Sequence, residues 1–466
     1  MTLLGAFFIP ITILCFLWRP QYLLPLLVFA SIFEAGSVIN GNIGGFVFGV
    51  SPFYFVEICV AIRLLLWVWR GGTWLPSEKT AARGISVLLL AFLAWSFASS
   101  VVMPWLFAGL PVYAPREVED WDMMVGNLVP LRWTFSNLGQ GIYLALNVAG
   151  VLYAFHVVRT MDQAEKLAKA LRWAVFAVVA AGLLQFLAFV SGWSYPYEIL
   201  NNSPNNPFDT HPLDQQVDGY LRISSTLGGP SFAGAFLAAV SCGLVASYLR
   251  GRRGARYLLA LLALLVVLLG TGSTTGYLAL TIVLCALLIC FYPFSKRESP
   301  AQLSLVKGWS TIILTGSCVM GLALLLIPSL SQTVVAMTVD KTNSAAMASR
   351  VSADLDAVTI FKSTYGLGVG LGSSRHSSLI TTLLCTVGVV GTTLFAMVVY
   401  KIVKFFPIRE APSMLQMGFW SLIGLLVAYS IAAPDIYRPP LWALIIVVVA
   451  QSNVYRTNMA ILPGHK

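Results

Sequence analysis

The sequence predicts an all-α polytopic membrane protein with about 12–13 transmembrane helices, outer-face loops and a short amphipathic helix. Three observations carry this. Of 466 residues, 58% are hydrophobic and 10% charged, against about 25% charged in an ordinary soluble domain. Apolar runs of roughly 17–25 residues recur from end to end, each able to cross a hydrocarbon core about 30 Å thick with its backbone groups satisfied internally. Basic residues interrupt alternate runs, the pattern of loops on the cytoplasmic side.

In order, the runs cover about 3–18, 21–39, 45–63, 85–104, 137–158, 173–191, 229–249, 257–272, 275–293, 309–329, 378–400, 413–432 and 439–455, as one transmembrane domain over 1–466. The first has no basic residue before it and no small-residue cleavage site after it, so it is expected to stay in the mature chain rather than act as a secretory signal. Arg19 and Pro20 alone join the first two runs, which either both cross or form one re-entrant hairpin. Trp67, Trp69, Trp74, Trp105, Trp133 and Trp193 sit near run ends, where aromatic belts are expected.

The net charge of +10 follows from the basic clusters. They are Arg63, Arg70, Lys79 and Arg83; Arg159, Lys166, Lys169 and Arg172; Arg250, Arg252, Arg253 and Arg256; Lys296, Arg297 and Lys307; and Lys401, Lys404 and Arg409. Facing the cytoplasm, they put the C-terminus inside and, if all runs cross, the N-terminus outside. No groove-reading motif accompanies them, which excludes a nucleic-acid partner. Membrane lipids are the partner implied. The seven cysteines all lie in apolar runs, as small hydrophobes rather than disulfide or metal ligands. Glu34 and Glu57 are the plausible intramembrane acids.

Three outward loops can hold chemistry: 105–136, 192–228 and 330–377. In the third, 349–362 reads as the amphipathic helix, with Val351, Leu355, Val358 and Phe361 at helical spacing and Arg350 on the polar side. Asp354-Leu-Asp356 imitates an acid-x-acid metal motif, but Asp354 stands four residues from Arg350, as in a solvated salt-bridged face. No metal and no cofactor are expected. Gly366-Leu-Gly-Val-Gly-Leu-Gly372 then precedes Ser373-Ser-Arg-His-Ser-Ser378. Its alternating glycines suit either a backbone cradle for phosphate or a hinge packed closely on neighbouring helices. His376 is a general base or a hydrogen-bonded helix cap. Arg222 is a phosphate ligand or an arginine snorkelling at the interface. Six of the eight outward cations are Arg, the side chain suited to bidentate phosphate binding.

Order and spacing over roughly 220–400 resemble the O-antigen ligase and Wzy-type polysaccharide polymerase superfamily. The residues concerned are Arg222 leading through Gly229-Pro230 into a run; Gly270-Thr-Gly-Ser-Thr-Thr-Gly276 between two runs; and Arg350 followed by the alternating glycines, His376 and Gly388-Val-Val-Gly391. Where the family commonly has Ser-Arg and His-Asn, this chain has Ser273-Thr274 and His376-Ser377.

The resemblance implies a GT-C-like fold and a metal-independent, inverting glycosyltransferase at the periplasmic face of a bacterial inner membrane. The donor would be a glycan on undecaprenyl diphosphate and the acceptor a growing lipid-linked glycan, with a chain-length regulator and a flippase as possible partners. By the same resemblance Arg222, Arg350 and Arg375 bind the diphosphate and His376 activates the acceptor. A ligase moving the finished glycan to lipid A-core or another acceptor shares the donor half-reaction. A lipid-glycan flippase or transporter is the alternative of a different class.

Overall fold

The computed structural model describes residues 1–43, 46–76, 81–113, 128–204, 215–217, 220–251, 254–291, 307–312, 314, 316, 345–408 and 411–461. The chain is a helical, multi-pass membrane protein. Among the described residues, seven helices are long and apolar enough to cross a membrane: α3 (Pro52–Trp69), α4 (Ala81–Leu106), α5 (Phe135–Val157), α6 (Met161–Ser191), α8 (Pro230–Leu249), α12 (Leu379–Phe405) and α13 (Ser413–Ala432). Shorter apolar helices are α1 (Leu3–Trp18), α2 (Leu23–Ala30, entered through a 3-10 turn at Pro20–Tyr22), α9 (Ala255–Gly270) and α10 (Thr274–Phe291). A four-residue turn, α7 (Tyr197–Leu200), the helix α11 (Ala345–Ser363) and the closing α14 (Pro439–Ile461) complete the set.

Boundaries follow local chemistry. Ser51 caps α3 by accepting from Tyr54 N, with Pro52 at the first helical position, where no amide is needed. Thr160 and Gln163 cap α6 reciprocally, and the helix stops at Gly192 with φ 71°. The second apolar run does not form a spanning helix: α2 has eight residues, and Val38 N instead donates to Val50 O as Ile39–Ile43 (β1) pairs with Phe46–Val50 (β2). Strand formation therefore consumes the end of the 21–39 run and the start of the 45–63 run. Two smaller hairpins join Pro111–Tyr113 (β3) to Leu128–Pro130 (β4) and Gln216–Val217 (β5) to Tyr220–Leu221 (β6). Most of the 309–329 run, the first part of the 330–377 loop, the tip of the 105–136 loop and residues 205–214, including His211, lie outside the described residues.

Within lipid, helices associate through packing rather than water exclusion, so close approach depends on small residues. The central helix α8 is buried almost along its whole length. It meets α13 so closely that a Cβ on Gly243 would stand 2.3 Å from Met417 O, and one on Gly424 2.8 Å from Ala239 Cα.

Hydrogen bonds between segments distant in sequence sort the loops into two ends. At one, Arg63 donates to Phe16 O, Arg250 Nη2 to Ile408 O and Arg456 Nε to Phe405 O. Described members of the basic clusters collect here. At the other, Thr2 N donates to Val38 O, Ser203 N to Ala35 O and Ile223 N to Gly270 O. Both ends of the α1–α2 pair thus reach this second end, which also holds every candidate site residue.

Candidate functional site

The glycine-rich segment builds the site by interrupting a helix. Gly388 (φ 66°, ψ −167°) breaks α12, stranding carbonyls at spanning depth, where they must find protein donors. They do. Val369 N donates to Cys385 O at 2.7 Å, Gly370 N to Thr386 O at 2.8 Å and Trp95 Nε1 to Val387 O at 2.7 Å, while Val389 N donates back to Gly366 O. Gly366, Gly368, Gly370 and Gly372 all have positive φ. A Cβ on Gly368 would lie 2.6 Å from Thr386 O, on Gly370 2.7 Å from Ser99 O and on Gly372 2.7 Å from Ser136 O. The segment is a strap threaded between α4, α5 and α12. Its amides at 368, 369 and 370 go to Thr364 Oγ1, Cys385 O and Thr386 O, so the close-packed alternative holds and the phosphate cradle does not form there.

Beyond the strap the chain is pinned from two sides. Asn137 of α5, buried, donates to Leu371 O at 2.8 Å and Ser373 Oγ at 2.7 Å. His376 is 2% exposed. Its Nδ1 stands 2.9 Å from Ala353 O and therefore carries a proton, which leaves Nε2 to accept from Ser374 Oγ at 3.1 Å in the neutral ring. Burial holds His376 below its ordinary pKa, against the opposing effects of the Ala353 carbonyl, Asp354 and Asp356. Both ring nitrogens are thus engaged, tying the strap to α11. Asp354 is not part of a solvated salt-bridged face: it accepts from Ser377 N at 3.1 Å, from Ser377 Oγ and from Thr381 Oγ1 at 2.7 Å, capping the start of α12. Asp356 accepts from Tyr113 OH at 2.7 Å. Helix α11 forms where expected, but turned: Val351, Leu355 and Val358 are exposed, and Ala357 and Ile360 are buried.

The four residues singled out in the sequence fall into separate groups. Arg375 belongs to an ion-paired cluster: its Nη2 lies 2.8 Å from Asp435 Oδ2, which also meets Arg438 Nη2 at 3.2 Å, while Arg438 Nη1 meets Glu34 Oε2 at 3.0 Å. Arg438 lies over the Phe232 ring, its Cζ 3.2 Å from the centroid. Burial opposes its charge, but Glu34 and Asp435 outweigh that and hold the guanidinium above its ordinary pKa.

Arg222 is held by the Gly270–Gly276 turn joining α9 to α10. Its Nε donates to Thr271 O at 3.2 Å, while Ile223 N donates to Gly270 O at 2.9 Å. Its Nη2 is buried and has no hydrogen-bond partner among the described residues. Burial, then the nearby positive charge of Arg350, hold Arg222 below its ordinary pKa. Burial does the same to Arg350, with Asp354 opposing. Three sequence features far apart along the chain, Arg222, the 270–276 turn and Arg350, therefore meet at one end of the bundle, and the arginines repel one another.

Sequence reasoning missed Asp435, Trp95, Asn137 and Tyr113. A signal existed for Asp435, since Asp435-Ile-Tyr-Arg438 places opposite charges three residues apart between two apolar runs. Among the described residues no group of three or more His, Cys, Asp or Glu could hold a metal ion. Comparison with protein-family models finds no match for this chain, and comparison with curated proteins finds none either.

Proposed function

We propose that this protein is a GT-C-like membrane glycosyltransferase of the O-antigen ligase and Wzy-polymerase type. It would transfer glycan from an undecaprenyl-diphosphate donor to a growing lipid-linked glycan at the periplasmic face of a bacterial inner membrane. The observation that carries the reading is the Arg222–Arg350 pair. Two largely buried like charges held near one another cost free energy unless an anion joins them, and a diphosphate bears the charge and the oxygens to which two guanidinium forks can donate. In the reaction the acceptor hydroxyl oxygen forms a bond to the anomeric carbon. The bond from that carbon to diphosphate breaks, and the electron pair leaves on the diphosphate oxygen. Fixed cations there stabilise charge as it develops.

The acceptor's proton needs a base. His376 is in the required tautomer, and the route to its Nε2 runs through the Ser374 hydroxyl, which passes a proton to Nε2 while taking one on its own oxygen. Arg375 supports the reading only indirectly in this arrangement, its charge being offset by Asp435.

The test is transfer by purified protein with an undecaprenyl-diphosphate glycan in EDTA, without nucleotide. Lengthening of the lipid-linked glycan is expected, with Arg222→Ala and Arg350→Ala each lowering turnover by about 10²–10³. Turnover near the parent's in both variants overturns the proposal.

A further inference from the structure

Among the described residues, one acid inside the bundle has no counter-group. Glu57 is in the second turn of α3, about 8 Å below its N-terminus at 1.5 Å per residue. It is fully buried, and neither carboxyl oxygen has a hydrogen-bond partner among the described residues. The absence of a side chain on Gly150 of α5 makes room for it. A Cβ there would stand 3.0 Å from Glu57 Oε1, 3.1 Å from Ile446 Cδ1 of α14 and 3.9 Å from Leu27 Cδ2 of α2. The atoms of α2 and α14 nearest this point are aliphatic. Along α3 the nearest full charge is Arg63, six residues on, whose guanidinium is occupied by the Phe16 carbonyl and lies 4.7 Å from the Phe16 ring centroid.

One turn toward the site end, on the same faces of α3 and α5, Tyr54 and Asn147 form a second rung. Asn147 Nδ2 donates to Tyr54 OH at 3.5 Å, and Asn147 Oδ1, also buried, has no donor among the described residues. The Tyr54 hydroxyl donates to Tyr437 O, and its ring stacks at 4.2 Å on Tyr143, which lies 5.7 Å from the Tyr437 ring. Tyr437 is two residues from Asp435 in the loop at the site end.

Two stacked rungs thus hold three buried acceptor oxygens, Glu57 Oε1 and Oε2 and Asn147 Oδ1, and no donor among the described residues to share among them. An ionised carboxylate in such surroundings is strongly disfavoured. A single added proton removes the charge and supplies the missing donor. We propose that Glu57 is an intramembrane proton-binding site, which holds its proton as a neutral carboxylic acid. The site stands on residues that the glycosyl-transfer reading does not use.

Infrared spectroscopy of the full-length protein, with its glutamate carboxyls labelled by carbon-13, tests this. At neutral pH the expected result is a carbonyl band of an un-ionised carboxylic acid that shifts with the label and is lost in Glu57→Gln. Glutamate absorption confined to the ionised carboxylate bands would overturn the proposal. Even if Glu57→Gln does not fold, comparing labelled with unlabelled parent protein shows whether any glutamate is un-ionised, and the absence of such a band overturns the proposal.

Discussion

Two arginine groups at the same end of the bundle are treated in opposite ways. Arg375 and Arg438 are buried against Asp435 and Glu34, two positive charges against two negative. Arg222 and Arg350 are held near one another, and the acid that acts on Arg350, Asp354, is already hydrogen-bonded by Ser377 and Thr381. A neutral cluster is a structural joint. Here it locks the strap, the start of α8 through Phe232, the loop before α14 and the segment after α2 into one unit. A cationic pair, with Arg222 Nη2 buried and without a hydrogen-bond partner among the described residues, carries net positive charge that no such joint neutralises. Charge count along the sequence cannot separate the two cases; the acids that decide it come from positions 34 and 435.

The largest expected effect breaks the joint. Asp435→Ala leaves two arginines buried without their shared partner, and removing one member of a buried ion pair costs about 3–5 kcal/mol. Thermal unfolding in detergent should show it. A transition within error of the parent's would mean the cluster is solvated and the contrast with Arg222 is lost.

The cationic pair should behave in the reverse sense. Arg222→Ala removes a repulsive charge along with the Thr271 contact, so the unfolding transition should move little, while turnover falls by about 10²–10³. Arg222→Lys should rescue only partly, because an ammonium has no planar fork for phosphate. Loss of stability matching that of Asp435→Ala would class Arg222 with the structural arginines.

Next in size is the strap. Gly368→Ala would place a Cβ 2.6 Å from Thr386 O at φ 80°, whereas Gly71→Ala meets open space at φ 88°. Both incur backbone strain, but only the first collides with backbone, adding roughly 1–3 kcal/mol of overpacking. Equal shifts in the two unfolding transitions would show that φ alone, and not close passage past α12, requires glycine in the strap.

Much of this architecture was legible from hydrophobic period and charge alternation. The run at 413–432 coincides with α13, and that at 229–249 is one residue longer than α8. The reading failed at 21–39, where a backbone pairing between Val38 and Val50 overrode an apolar run, and at α11, where helical spacing of Val351, Leu355 and Val358 revealed a stripe but not which way it turns. In a membrane protein an apolar stripe can face lipid as well as core, so amphipathicity loses its usual direction. The site was legible as residue types and order; the partners that pair Arg375, cap α12 and occupy both nitrogens of His376 come from elements distant in sequence.

The smallest effect distinguishes the strap's anchor from the charge clusters beside it. His376 is buried as a neutral ring and its pKa is held below the ordinary 6.5. In the unfolded chain it binds a proton near that ordinary value, so below it the unfolded state holds more protons than the folded one and stability rises with pH. The contribution is therefore complete above about pH 6.5 and is lost as pH falls toward the lowered folded value. His376→Asn can still donate an amide N–H to Ala353 O but cannot titrate. The difference in unfolding temperature between parent and His376→Asn should accordingly favour the parent less as pH drops from neutral into the mildly acidic range. The aspartates are common to both proteins, so their contribution cancels in the difference. A difference that is flat with pH would mean that the folded protein accepts the imidazolium, and with it that the Ser374 and Ala353 contacts do not hold the ring in its neutral form.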